Sequence, residues 1–158
     1  MSEALPGRAG ILALVPHQGP MCLWEEVLEW DAQSIRLRAR NHREPCHPLR
    51  ARGRLHAVAL CEYGAQAMAV HGGLLASAHG GRAAAGMLVA LRGIELAVAR
   101  IDDLPGALDG EAMLVASGEA SQQYAFRIHH AGRLLASGRA TAMLSAPTGS
   151  WAPPTMQA

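Results

Sequence analysis

Glu62 is the residue of this 158-residue chain whose surroundings most invite chemistry. It lies in Cys61-Glu62-Tyr63-Gly64-Ala65-Gln66, inside a stretch from about His56 to Ala76 where nearly every position is apolar or small. Such a stretch predicts a helix buried on all sides, about 30 Å long, enough to cross a small domain. Gln66 falls one turn after Glu62 on the same side. A carboxylate in apolar surroundings is costly when charged and unpaired, so it either meets an arginine or serves as a proton donor near neutral pH.

The loop ahead of this helix holds the candidate bases. His47 stands in Glu44-Pro45-Cys46-His47-Pro48-Leu49, and His56 stands at the helix start. A loop feeding a helix N-terminus can present a base beside backbone N–H groups that polarise a carbonyl. The plain alternatives are a solvated loop histidine and a helix-end contact. His42, Cys46, His47 and Cys61 match no standard zinc spacing, so no metal is expected. Arg50, Arg52 and Arg54 alternate along the same loop, as a solvated face or as a contact for a phosphate or an acidic partner. No nucleophile elbow and no dinucleotide glycine fingerprint occurs.

The elements that must position these groups follow from periodicity. Ser34 to Arg40 alternates Ile35, Leu37 and Ala39 with Arg36, Arg38 and Arg40, the pattern of a strand with one wet face. Leu23 to Trp30 fits strand or helix. Gly64 costs roughly 1 kcal/mol of helix propensity and is tolerated if another backbone packs close to it. The glycine pairs Gly72-Gly73 and Gly80-Gly81 are expected to end the helix. Gly86 to Arg100 predicts one or two strands, interrupted or bulged near Gly93, and three further strands are expected at about 112–120, 122–130 and 133–145, the last two joined by a hairpin at His130 to Arg133. One long helix followed by antiparallel strands is an α+β arrangement. The expected layout is an N-terminal extension over 1–13, one domain over 14–146 and a mobile tail over 147–158.

Composition narrows the classes. Half of the residues are hydrophobic, 17% are charged and the formal net charge is +1, which fits one folded domain and gives no basic excess for nucleic acid. All 14 basic residues are arginines, so lysine Schiff-base chemistry and a lysine P-loop are excluded. No apolar run reaches the roughly 20 residues of a membrane span. The apolar stretch Ile11 to Val15 is short for a secretion signal, and the three cysteines lack a framework-like spacing, so a reduced, cytoplasmic setting is expected.

Two separated motifs carry a resemblance. Leu14-Val-Pro-His17-Gln-Gly-Pro20, followed by an acidic-apolar strand, resembles the opening of the hot-dog-fold 3-hydroxyacyl-(acyl carrier protein) dehydratases. Cys61-Glu62-Tyr-Gly-Ala-Gln66 resembles that family's central-helix motif, and Glu44-Pro45 resembles its lead into the catalytic-histidine loop. The resemblance spans about Leu14 to Leu144. It implies a hot-dog fold in a homodimer, or a heterodimer with a related hot-dog subunit, the site lying at the interface with a histidine from one subunit and an acid from the other. The substrate would arrive on the phosphopantetheine arm of an acyl carrier protein, with no further cofactor. By the same resemblance His47 is the base that removes the α-proton and Glu62 the acid that protonates the departing hydroxyl. The Ala57 N–H holds the thioester carbonyl, Gln66 orients the acid and His56 is the rival base. Arg50, Arg52 and Arg54 are the first candidates for docking the acidic carrier.

The loop departs from the family's pattern. His47-Pro-Leu-Arg replaces His-Phe-Pro-Gly, the family's histidine falls on Pro48 when counted back from Glu62, and Ala57 replaces the helix-start glycine. A divergent branch from aryl-polyene clusters is similar in this respect. Two other readings stay open: a hot-dog thioesterase, and a non-catalytic hot-dog subunit that binds a carrier or an active partner.

Overall fold

The computed structural model describes residues 4–83 and 86–145. In chain order the elements are α1 (Arg8–Leu14), β1 (Glu26–Trp30), β2 (Ser34–Ala39), α2 (Leu60–Ala78), β3 (Gly86–Leu96), β4 (Leu108–Ser117), β5 (Ser121–His130) and β6 (Arg133–Leu144). The six strands form one antiparallel sheet in the order β1-β2-β4-β5-β6-β3. The sheet curls around α2, whose closest strand neighbours are β2, β4, β5 and β6.

The alternation read from Ser34 to Ala39 decides which side of β2 is wet. Ile35, Leu37 and Ala39 are fully buried. Arg36 pairs with Glu29, and Arg38 grips Asp109 through Nε at 2.6 Å and Nη2 at 3.2 Å. On the inner side of β5 Tyr124 and Phe126 reach α2, at His71 and Gly64, and Ile128 is buried beside Gly110. Gly64 makes that approach possible: a Cβ there would stand 2.6 Å from the Phe126 ring. The low helix propensity of glycine is the cost of seating an aromatic ring on the helix backbone.

Three expectations need correction. Gly72-Gly73 does not end the helix, which runs to Ala78; Gly73 lies inside it because a Cβ there would meet the Leu14 carbonyl at 2.9 Å, so the glycine admits α1. The division between an extension and a domain at residue 14 cuts through α1, whose Ile11 is completely buried in the common core. β4 begins at Leu108, earlier than its apolar content suggested, because Gly110 offers no side chain where Trp24 packs. The bulge expected near Gly93 is present, with a register shift between Arg92 and Glu95 and a φ of 60° at Gly93. The proposed tail over 147–158 lies outside the described residues.

β3 is an edge strand, and its free side meets no other strand among the described residues. It is unusually apolar for an edge: Met87, Leu88, Val89, Leu91 and Leu96 are all exposed. No helix among the described residues is long and apolar enough to cross a membrane.

Candidate active site

Residues Ala57–Ala59 form a 3-10 turn that leads directly into α2, placing Glu62 in the helix's first turn. Glu62 is one-third exposed and borders an open cavity of about 400 Å³. The cavity is shared with Leu49, Ala51, His56, Val58, Cys61, Leu88 and Leu91, so its walls are the loop that carries His47, the helix start and edge strand β3. Apart from Glu62 and His56 these named walls are apolar.

One carboxylate oxygen of Glu62 is heavily engaged. Gln66 Nε2 donates to Glu62 Oε1 at 2.9 Å, and His17 Nε2 lies 3.4 Å from that same oxygen. Gln66 is itself fixed, donating to the Met21 carbonyl at 2.7 Å and accepting from the Leu23 N–H at 2.9 Å. Oε2 has no hydrogen-bond or ion-pair partner among the described residues. The side-by-side placement of Glu62 and Gln66 was legible from their spacing. The arrival of His17 was not, because its Pro-His-Gln-Gly-Pro loop has no periodicity to show where it packs.

His47 sits elsewhere. It is buried and stacked on Tyr63, with Nε2 3.0 Å from the Tyr63 hydroxyl and Nδ1 accepting the Leu49 N–H at 3.1 Å. The backbone N–H at Nδ1 fixes the tautomer, so Nε2–H donates to Tyr63 and the hydroxyl donates to Asn41 Oδ1 at 2.6 Å. Asn41 continues the chain to the Leu23 carbonyl at 2.7 Å. Burial, followed by Arg50 and His42, pushes the His47 imidazole below its ordinary range. Its lone pair is occupied, and within one subunit it does not border the cavity that Glu62 lines. Tyr63 and Asn41 complete a buried polar chain that the sequence reading did not anticipate.

Two further assignments meet similar geometry. The Ala57 N–H donates to the Ala99 carbonyl at 3.0 Å, so it is not open to a thioester oxygen. Arg50 spends its guanidinium on the carbonyls of Glu44, Gly53 and Arg43, at 2.8, 3.1 and 3.0 Å, and braces the loop from within. Arg52 and Arg54 are exposed at the tip of that loop. His42 gives its Nε2–H to the Leu104 carbonyl, Cys46 is exposed and Cys61 faces the cavity, so these residues and His47 are dispersed. Among the described residues no group of three or more histidines, cysteines and acids is placed to hold a metal.

A six-stranded antiparallel sheet curled around one long helix, with a carboxylate in that helix's first turn, defines a hot-dog fold. The chain belongs to the ApeP-like family of ApeP dehydratases, whose family model matches residues 9–149. It resembles the solved dehydratase heterocomplex ApeI:P from Xenorhabdus doucetiae with a TM-score of 0.78 at 22% identity, over 87% of this chain and 91% of that one. It also resembles a hypothetical thioesterase with coenzyme A from Streptococcus pneumoniae TIGR4, with a TM-score of 0.56 at 16% identity over 76% and 84% of the two chains. A third likeness is to AziG of S. sahachiroi, with a TM-score of 0.55 at 20% identity over 83% and 97%. These likenesses establish the fold. None of the curated proteins searched matches the chain.

Proposed function

We propose that this protein dehydrates a 3-hydroxyacyl thioester, carried on the phosphopantetheine arm of an acyl carrier protein, to the trans-2-enoyl thioester and water. The observation that carries the reading is Glu62: a carboxyl at the mouth of an apolar cavity, with Oε1 held by Gln66 and Oε2 open. In the forward reaction a base takes the C2 proton, the electron pair forms the C2–C3 double bond, and the C3–O bond breaks. The proton on Glu62 joins the departing hydroxide as water. The base of this mechanism is His56, which shares the cavity with Glu62, in place of the occupied His47. Helix-start amides lack intrahelical acceptors; with that of Ala57 taken by Ala99, the next is Val58, on the cavity wall, and it polarises the thioester carbonyl. Both proton transfers fall to side chains, so the reaction calls for no further cofactor.

The same reading includes a second hot-dog subunit on the free side of β3. The exposed apolar residues of that strand support it, as does the assembly of the Xenorhabdus protein as a heterocomplex. The pathway this reading favours is aryl-polyene-type biosynthesis in the cytoplasm, with Arg52 and Arg54 meeting the acidic carrier.

The test is purified protein, alone and with a hot-dog partner, incubated with 3-hydroxyacyl-carrier substrate. Enoyl absorbance is expected to appear, and Glu62→Gln to abolish it. Full activity in Glu62→Gln refutes the assignment. The likeness to a thioesterase gives a second reading, in which Glu62 activates water; free thiol without enoyl absorbance would establish it.

A further inference from the structure

The surroundings of Glu62 contain a residue that the proposed reaction has not yet used. His17 belongs to a loop braced on several sides. Arg8 donates to the carbonyls of Cys22 and Gly19, both at 2.8 Å, and Gln18 Nε2 donates to those of Leu12 and Val15 at 2.9 and 3.1 Å. Gln66 holds the Met21 carbonyl of the same segment. The loop therefore delivers the imidazole to one place, with Nε2 3.4 Å from Glu62 Oε1.

The other ring nitrogen identifies the tautomer. His17 Nδ1 is buried and has no hydrogen-bond partner among the described residues. A hydrogen on Nδ1 would be a buried donor with no acceptor, and would also aim a bare lone pair at the carboxylate. The hydrogen therefore belongs on Nε2, directed at Glu62.

We infer that His17 is a positioning residue for Glu62: its Nε2 edge lies 3.4 Å from Oε1, the oxygen to which Gln66 donates, so that the acidic proton resides on Oε2 and the carboxyl is held in one orientation. The inference rests on the dehydratase reading for its consequence in turnover, but the contact itself does not. A carboxyl with one oxygen accepting from Gln66 and packed against the polar edge of His17 carries its proton on the other, and the general acid then presents that proton in a fixed direction. Without His17 the carboxyl keeps only Gln66 and explores other rotamers.

The experiment compares His17→Ala and His17→Gln in the full chain with its partner subunit. The Gln side chain restores an N–H donor near the position of Nε2 without an ionisable group. His17→Ala is expected to lower kcat about 10-fold with KM little changed, and His17→Gln to recover most of the loss. A readout independent of turnover is the carboxyl carbon resonance of Glu62, assigned by its disappearance in Glu62→Gln. It is expected to move in His17→Ala and to return in His17→Gln. Native kcat in His17→Ala, an unmoved Glu62 resonance, or failure of His17→Gln to restore either readout overturns the proposal. If His17→Ala does not fold, His17→Leu removes the donor while keeping bulk and is read in the same two ways. If the unmodified protein forms no enoyl product, the dehydratase reading fails, and the resonance alone decides the role of His17.

Discussion

His47 and Tyr63 face each other in the interior, with the imidazole Nε2 3.0 Å from the phenol oxygen and the rings stacked at an interplanar angle of 26°. Tyr63 is completely buried, and that burial pushes its hydroxyl well above its ordinary range, so the phenol stays a proton-bearing donor to Asn41. The pair fastens the His47 loop to α2 through groups whose hydrogen-bonding capacity is already committed. It is separate from the cavity that Glu62 and His56 line.

That division makes the two loop histidines separable. His56→Ala is expected to reduce kcat for enoyl formation by roughly 100-fold or more, the usual contribution of a general base. His47→Ala is expected to leave most of kcat while destabilising the fold by about 1–3 kcal/mol, since it strands the Tyr63 hydroxyl and the Leu49 N–H. Steady-state kinetics beside denaturant melts read both effects, and a large kcat loss confined to His47→Ala would reverse the assignment.

Tyr63→Phe removes one oxygen and leaves His47 Nε2 and Asn41 Oδ1 facing a buried gap. The expected cost is again about 1–3 kcal/mol, seen as a lower urea midpoint with an unchanged slope. An unaltered midpoint would mean that the buried chain contributes nothing.

Gly64→Ala sets two effects against each other. The helix gains roughly 1 kcal/mol of propensity, but the new methyl stands 2.6 Å from the Phe126 ring. Overpacking of this kind costs typically 1–3 kcal/mol, so net destabilisation is expected. Gly72→Ala, with nothing within 4 Å of its Cβ, is the control and is expected to stabilise.

Acid lability follows from three buried histidines. His42, His47 and His71 each lie below their ordinary value of 6.5, in every case chiefly because burial disfavours the charged imidazolium. His71 is held between the Tyr124 hydroxyl at 2.6 Å and the Asp31 carbonyl at 2.8 Å. The unfolded chain thus binds protons more readily than the folded one. Stability from these groups is complete above about pH 6.5 and is lost as pH falls below it, at no more than about 1.4 kcal/mol per pH unit for each histidine. Denaturant midpoints between pH 7.5 and 5 check the sign; constant midpoints would contradict it.

Assembly is tested at β3. Val89 is exposed on the free edge and is left without a partner in β6 by the shift between Leu88 and Ala90. Val89→Asp is expected to weaken association with the second hot-dog subunit while leaving the far-ultraviolet circular dichroism unchanged. Sedimentation of the mixed subunits measures it, and undiminished association would place the interface elsewhere.

Much of the fold was legible in the residues themselves, because local patterning encodes which side of an element is dry. The alternation around Ile35 and Leu37 placed β2, the apolar surroundings of Glu62 placed α2, and Gly64 announced a close neighbour, expected as backbone and found to be the Phe126 ring. The four-residue spacing of Glu62 and Gln66 was enough to join acid and amide, since helical geometry makes them neighbours wherever the helix sits. What spacing does not encode is where a loop's hydrogen-bonding capacity is spent. Only the tertiary structure commits the Ala57 N–H to Ala99, the Arg50 guanidinium to its own loop, and both His47 nitrogens to the interior. Only packing of the N-terminal segment against α2 carries His17 to Glu62, because no local period links a proline-rich loop to a helix far along the chain.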